Sequence, residues 1–384
     1  MFHQTAESHR AGARPLSREF FISKDIYAEE QERIFAALWN CVGRASRLAQ
    51  PGEYLVRTIA GESLIVVRGH DGALRAFFNV CRHRGTELCT EPSGRFAPVI
   101  QCPYHAWTYA TDGGLVGAPH MQDVAGFDKA DYPLHAAAIA EFDGFVFVST
   151  APSPQPFLDW FAPMAERLRR FALAALETGH HAEYDVGANW KLVFENYSEC
   201  LHCPVIHPEL AARLPYESGA NDLIDGPFLG GYMRIADPHE SATMSGRSCA
   251  PVVSDALDAD ERRRAYYYSV MPNLLVSIHP DYVNYYLLTP LAPDRTRIDS
   301  EWLFKTPSCG PGAQGAGAFH PTDAIAFWDL VNRQDWQIIE RSQRGIASRR
   351  FVPGPYSTRE SISAAWDREY LRLMTDRRRA TPRN

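Results

Sequence analysis

From about residue 52 to 80 the chain alternates apolar and polar positions, in EYLVRTIAGESLIVVRGHDGALRAFFNV, and the pattern is broken by Gly and by HDG. Period-two alternation bounded by turn residues predicts strands joined by tight turns. TDGG at 111–114 reads as another hairpin turn, and EFDGFVFVST at 141–150 closes this β-rich section. Upstream, SKDIYAEEQERIFAALW carries apolar residues at helical spacing after a Ser–x–x–Ile start and predicts a helix. Downstream, PSPQPF at 152–157 marks a boundary, and LDWFAPMAERLRRFALAAL predicts an amphipathic helix with one internal Pro. Residues from about 182 to 305 mix strands and helices. YYYSVMPNLLVSIHPDYVNYYLLTPL is rich in β-formers, and RIDSEWLF adds a strand. PTDAIAFWDLVNRQDWQIIERSQRG predicts a long helix with Pro at its start and Gly at its end. CGPGAQGAGAF at 309–319 has little to pack and reads as a mobile loop, and both chain ends read as flexible.

Composition narrows the class. A chain of 384 residues holds about two or three domains. Its 45% hydrophobic and 22% charged residues suit an ordinary globular core. A net charge of −7 argues against nucleic-acid binding. No apolar run approaches the roughly 20 residues of a membrane span. The polar start lacks the apolar core of a secretory signal. Eight thinly spread cysteines do not suggest a disulfide scaffold, so a cytoplasmic setting is expected, with cysteine as ligand or core residue.

The candidate chemistry begins in NVCRHRGTELC and QCPYHAWTYATDGG. Cys81 and His83 form one pair, Cys102 and His105 a second, with 18 residues between the pairs. Two readings compete: a structural Cys2His2 zinc site, and a Rieske [2Fe–2S] cluster, in which two His replace two Cys on one iron. Zinc fingers keep the two Cys together and the two His together. Here each pair is mixed and follows a strand, which favours two hairpin tips that each give one ligand to each iron. Cys89 reads as a packing residue. Farther on, ANWKLVFENYSECLHCPVIHPEL sets His202 and His207 five apart around Pro204. A helix loosened near Pro204 would turn both imidazoles to one point. Two His and one carboxylate with open positions make the facial triad of non-heme Fe(II) oxygenases.

CRHRG, CPYHAW, the NWK…EN…E…H…HP run and the late acidic helix NRQDWQIIERSQRG together resemble the oxygenase (α) component of the Rieske non-heme iron oxygenases, over nearly the whole chain. The resemblance implies an α+β protein. Residues 1–37 would be a lead and helix packed on the catalytic domain, 38–152 an all-β Rieske domain, and 153–384 a helix-grip catalytic domain with an antiparallel sheet. It assigns Cys81 and Cys102 to an inner iron, His83 and His105 to an outer iron, and His202, His207 and Asp335 to a mononuclear Fe(II). Asp329, Asp323 and Glu340 stand in reserve for Asp335. Glu199 would bridge the two centres across a subunit boundary, and Asn196 would sit beside the iron. A homotrimer or stacked hexamer is implied, because the two centres of one chain lie far apart in the family. The sequence contains no Gly-rich dinucleotide fingerprint and no plant-type C-x4-C-x2-C set, so a separate NAD(P)H-dependent reductase with flavin and an iron–sulfur centre is expected. Arg82 and Arg84, flanking His83, would either form its docking patch or pair with local acids.

The substrate is less legible. The chain length and Glu199 resemble the α-only branch that acts on betaine-, choline- or carnitine-type compounds. Tyr232, Tyr266, Tyr267, Tyr268, Tyr282, Tyr285 and Tyr286 offer rings to cage a trimethylammonium group, although strand alternation sends about half of them elsewhere. The alternative substrate is an aromatic or heterocyclic compound stacked on the same rings. A remote alternative is an electron-transfer protein without oxygenase activity.

Overall fold

The computed structural model describes residues 11–223, 226–306 and 319–376. The Gly-rich loop expected at 309–319, apart from Phe319, lies outside the described residues, as do the first ten residues and the tail beyond 376. The chain divides into two compact units. One is Gln31–Trp160; the other joins the segment ending at Glu30 to the chain from Phe161 onward. Reading the sequence alone puts these breaks at 37/38 and 152/153.

The helix expected over 23–39 is present from Lys24 to Phe35, its second part π-helical, and a separate short helix precedes it. α1 spans Glu19–Ile22 and α2 spans Lys24–Glu30, followed by a π-helical turn at Gln31–Phe35. Ser23 is extended, and its hydroxyl accepts from the Ile26 N–H at 3.3 Å, so the helical pattern restarts there.

The Gln31–Trp160 unit is antiparallel β. Its strands are β1 (Asn40–Arg44), β2 (Glu53–Ile59), β3 (Glu62–Arg68), β4 (Leu74–Phe78), β5 (Ser93–Arg95), β6 (Val99–Gln101), β7 (Thr108–Ala110), β8 (Leu115–Gly117), β9 (Ala136–Phe142) and β10 (Phe145–Ser149). Seven of them form a sheet ordered β1-β10-β9-β4-β3-β2-β5, and β6-β7-β8 form a small second sheet. The turn expected at TDGG joins β7 to β8. Leu64 to Val67 on β3 are all fully buried. Each such side chain contributes about 1.5–3 kcal/mol of apolar burial.

In the other unit, α3 (Phe157–Leu168) ends earlier than the sequence pattern implies. Two 3-10 turns follow, separated by Ala172 in the left-handed region (φ 51°). After β11 (Glu177–Val186) come α4 (Trp190–Tyr197), α5 (Cys203–Ile206) and α6 (Pro208–Arg213). β12 (Ala220–Leu223), β13 (Phe228–Arg234), β14 (Arg264–Val270), β15 (Leu274–Ile278), β16 (Val283–Ala292) and β17 (Arg295–Phe304) complete the sheet. It is antiparallel, in the order β11-β17-β16-β15-β14-β13-β12. α7 (Pro321–Ile346) matches the long helix expected at 321–345, and α8 (Ser361–Thr375) has no counterpart in the sequence reading. The unit is therefore α+β.

α4 is anchored from behind. Asn189 caps it, accepting from the Lys191 N–H at 3.0 Å. Lys191 Nζ and Glu30 Oε1 meet at 2.5 Å with both side chains fully buried. Trp190 Nε1 donates to Glu30 Oε2 at 2.8 Å, and the Tyr370 hydroxyl donates to Glu30 Oε1 at 2.6 Å. One carboxylate thus ties α2, α4 and α8 together.

Candidate active site

The two Cys–His pairs sit on matched loops. The Cys81 N–H donates to Thr86 O (2.8 Å), and the Gly85 N–H returns to Cys81 O (3.0 Å). The Cys102 N–H donates to Trp107 O (2.8 Å), and the Ala106 N–H returns to Cys102 O (3.2 Å). Each loop closes through a left-handed residue, Gly85 at φ 74° and Ala106 at φ 56°. Glycine accepts that conformation freely; alanine holds it only because the surrounding loop compels it. This shared bonding gives the two loops equivalent tips, although the His lies two residues after one Cys and three after the other.

Cys81 and Cys102 are buried in a core with Trp107 and Tyr109, while His83 and His105 are half-buried. The two imidazoles meet edge to face with centroids 4.7 Å apart, and His83 stacks on Trp107 at 4.8 Å. The Tyr109 hydroxyl lies 3.3 Å from Cys81 Sγ and accepts from the Arg82 N–H at 3.0 Å. His83 Nδ1 is buried without a protein partner. Desolvation, with the charges of His105 and Arg84, holds the His83 pKa below its usual value. A bare, neutral imidazole nitrogen beside buried thiols is the donor set a two-iron cluster requires. Cys89 is also buried, and burial pushes its thiol up to about 12, which suits packing. Arg82 rests against Tyr132 and Arg84 against Tyr104, and no acid pairs with either among the described residues.

The second constellation lies in the α+β unit. His202 and His207 do not share a loosened helix. They flank the four-residue α5, which Pro204 helps to start and Pro208 ends. Asp335 reaches in from α7. Its Oδ1 lies 2.9 Å from His207 Nε2 and 3.3 Å from His202 Nε2. Asn196 Nδ2 donates to Asp335 Oδ1 at 3.0 Å and lies 3.4 Å from His202 Nε2. Each imidazole is held from behind: His202 Nδ1 by Glu199 Oε1 (2.6 Å), His207 Nδ1 by Gln334 Oε1 (2.8 Å). Oxygen on each Nδ1 fixes the tautomer and frees each Nε2 as a metal donor. Burial opposes charge on His202, but hydrogen bonds to Asp335 and Glu199 outweigh it and push its pKa up to about 10. The two carboxylates therefore create a local demand for positive charge. Two imidazole nitrogens and one carboxylate oxygen converging from one side fit a divalent iron.

The reserve acids are occupied elsewhere. Asp329 meets Tyr184 and Arg333, Asp323 meets Ser245, and Glu340 accepts from the Gly187 N–H. Gln334 was missed by the sequence reading; its position beside Asp335 was the available signal. A disulfide between Cys200 and Cys203 was also missed, where only free cysteines were expected. Cys203 Sγ lies 3.9 Å from His202 Nε2, but that bond leaves it no thiolate to offer a metal.

A cavity of about 140 Å³ opens onto the triad. That is close to the ~150 Å³ void that takes up a benzene, so it suits a small substrate. Tyr232, Tyr267 and Tyr286 line it, whereas Tyr266, Tyr268, Tyr282 and Tyr285 are buried in the core. Alternation separates Tyr267 from Tyr266 and Tyr268 on β14, and Tyr286 from Tyr285 on β16. Tyr197, Trp328 and Trp336, absent from the sequence reading, add aromatic wall. Trp328, Val331, Asn332, Asp335 and Trp336 recur at helical spacing, so the face of α7 that turns to the cavity was readable from periodicity.

Residues 38–128 match the Rieske [2Fe-2S] domain profile, and residues 173–376 match the ring hydroxylating alpha subunit (catalytic domain) profile. The chain belongs to the ring-hydroxylating alpha-subunit family. It is a Rieske-type oxygenase, an oxidoreductase whose cofactors are a Rieske [2Fe–2S] cluster and a mononuclear non-heme iron. The glycine betaine monooxygenase oxygenase subunit of Chromohalobacter salexigens is 31% identical over 91% of this chain and 83% of its own length. The carnitine monooxygenase oxygenase subunit of Acinetobacter pittii is 40% identical over 50% of this chain and 52% of its own. The solved quaternary ammonium Rieske monooxygenase CntA in complex with L-carnitine superposes with a TM-score of 0.78 at 27% identity, covering 97% of this Rieske oxygenase chain and 98% of that one. Rieske oxygenases act on small molecules and take electrons from reductase partners. Among the described residues, no helix is long and apolar enough to cross a membrane.

Proposed function

We propose that this chain is the terminal oxygenase of a multicomponent Rieske system that hydroxylates or oxidatively demethylates a quaternary ammonium compound of betaine, choline or carnitine type. The observation that carries the reading is the aromatic cavity opening onto His202, His207 and Asp335. The names of the relatives support the same class. Each ring that meets a trimethylammonium group adds about 0.5–2 kcal/mol of cation–π attraction, with no competing anion required.

Cys81, Cys102, His83 and His105 would hold the [2Fe–2S] cluster, and His202, His207 and Asp335 the Fe(II). When bound, the cluster supplies single electrons and the iron the means of activating O2. Glu199 keeps the His202 ring in register and, in a homotrimer or stacked hexamer, is the carboxylate linking the centres of neighbouring subunits. Asn196 holds Asp335 Oδ1 in place. The two tryptophans of α7 exclude water from the substrate. Arg82 and Arg84, the latter over exposed Tyr104, would dock a separate NAD(P)H-dependent flavin and iron–sulfur reductase. In this layout residues 38–152 form the cluster domain, 153–384 the iron domain, and 1–37 a lead packed on the latter. Cys41, Cys89 and Cys249, buried and outside both the cluster loops and the Cys200–Cys203 bond, support a cytoplasmic setting.

The test is the Fe(II)–nitrosyl EPR signal of anaerobically reduced, iron-loaded protein. Glycine betaine, choline and carnitine should perturb it, while aromatic acids and heterocycles leave it unchanged. A response to aromatics alone would replace the substrate class and keep the oxygenase. Absence of a nitrosyl signal would remove the iron site.

A further inference from the structure

The cavity is lined by charges of both signs. At the metal end, Glu199 and Asp335 are both committed to His202, and Asp335 also to His207. The rings of Tyr197, Tyr232, Tyr267 and Tyr286 line the cavity. Tyr216, just before edge strand β12, and Arg359, just before α8, line the same cavity. Arg359 is the one Lys or Arg among the lining residues. Its guanidinium lies over the Tyr216 ring, 5.4 Å from the centroid. Among the described residues it forms no ion pair. Of the nearby acids, Glu217 is hydrogen-bonded to Tyr216 and feels the Arg359 charge without pairing with it, and Glu360 accepts from the Ser357 N–H at 2.7 Å.

A guanidinium held over an uncharged ring without an ion pair keeps N–H donors for an anion, and their fork matches a carboxylate in shape and charge. Carboxylates and π-faces favour a cation at one place, and a free guanidinium favours an anion at another. A ligand complementary to both is a zwitterion.

We infer that Arg359 is the specificity-determining residue of the cavity and reads the carboxylate of a quaternary ammonium carboxylic acid, so that betaine- and carnitine-type zwitterions are preferred over choline-type alcohols. This rests on the quaternary ammonium reading proposed above. The ammonium end then lies among the rings near the triad, and the carboxylate end lies toward Tyr216. Tyr216 acts through Arg359, holding the guanidinium over its ring.

Calorimetric titration of the cluster- and iron-loaded holoprotein tests this with glycine betaine, L-carnitine and choline, on wild type, Arg359→Gln and Arg359→Lys. The wild type should bind both zwitterions at least about tenfold more tightly than choline. Arg359→Gln should weaken the zwitterions about tenfold or more and leave choline within about twofold, and Arg359→Lys should fall between. An unchanged cluster spectrum and nitrosyl amplitude without substrate would establish that each variant is folded and loaded. Equal loss for choline and the zwitterions, or no loss for either, would overturn the role of Arg359 while the ammonium class stands. Failure of all three compounds to bind the wild type would overturn both.

Discussion

Glu199 is held twice. Oε1 faces His202 Nδ1 at 2.6 Å, and Oε2 accepts from the Leu201 N–H. This leaves the side chain little freedom, so its carboxylate sets both the tautomer and the basicity of His202. Glu199→Gln preserves shape and removes the charge. We expect the visible spectrum of the cluster to be unchanged and substrate-coupled turnover to fall by about 100-fold. Product formed per O2 consumed, with iron content measured on the same sample, checks this. Full turnover would remove Glu199 from the bridging role.

α4 carries Asn196 and leads into the His202 loop, so its seating decides where the triad forms. That seating depends on Glu30, which receives Lys191, Trp190 and Tyr370 in a site sealed from water. Removing one partner of a buried ion pair strands the other charge in a medium that solvates it poorly. Glu30→Ala should destabilise the α+β unit by about 3–5 kcal/mol. Glu30→Gln with Lys191→Met should cost much less, because no charge is then stranded. Denaturant unfolding followed by the fluorescence of the buried tryptophans separates the two outcomes.

Stability of the whole molecule should depend on pH through a second buried group of acids. Glu195 on α4 and Asp367 on α8 each keep one carboxylate oxygen buried without a partner, while the Tyr356 hydroxyl donates to Asp367 Oδ2 at 2.7 Å. Burial pushes Asp367 up to about 7, and burial with the Asp367 charge raises Glu195 well above the usual carboxylate range. The native state therefore binds a proton more tightly than the unfolded chain. The stabilisation is complete below the unfolded pKa near 4 and is lost as pH rises through about 7. The thermal midpoint should decline between about pH 4 and 7, and Asp367→Asn should flatten that slope by fixing the neutral form. An identical slope in the variant would assign the pH dependence to other groups.

The sequence by itself determined the chemical types and their local spacing. Cys81, His83, Cys102 and His105 were legible as candidates because few residue types bind iron and a strand-turn pattern presents them at loop tips. His202, His207 and Asp335 were legible as candidates because the run and the late helix carry the right donors. Period-two alternation located the strands, and the Pro and Gly signals bounded α7. Tertiary structure alone decided what meets what. It placed Gln334 on His207, joined Cys200 to Cys203, and sent Asp329, Asp323 and Glu340 to other partners. It also chose three of seven tyrosines for the cavity and added Tyr197, Tyr216, Trp328, Trp336 and Arg359 from elements distant in the chain. The division has one physical cause. Propensity and alternation act between near neighbours, whereas a cavity and its charges arise where packing brings remote segments together.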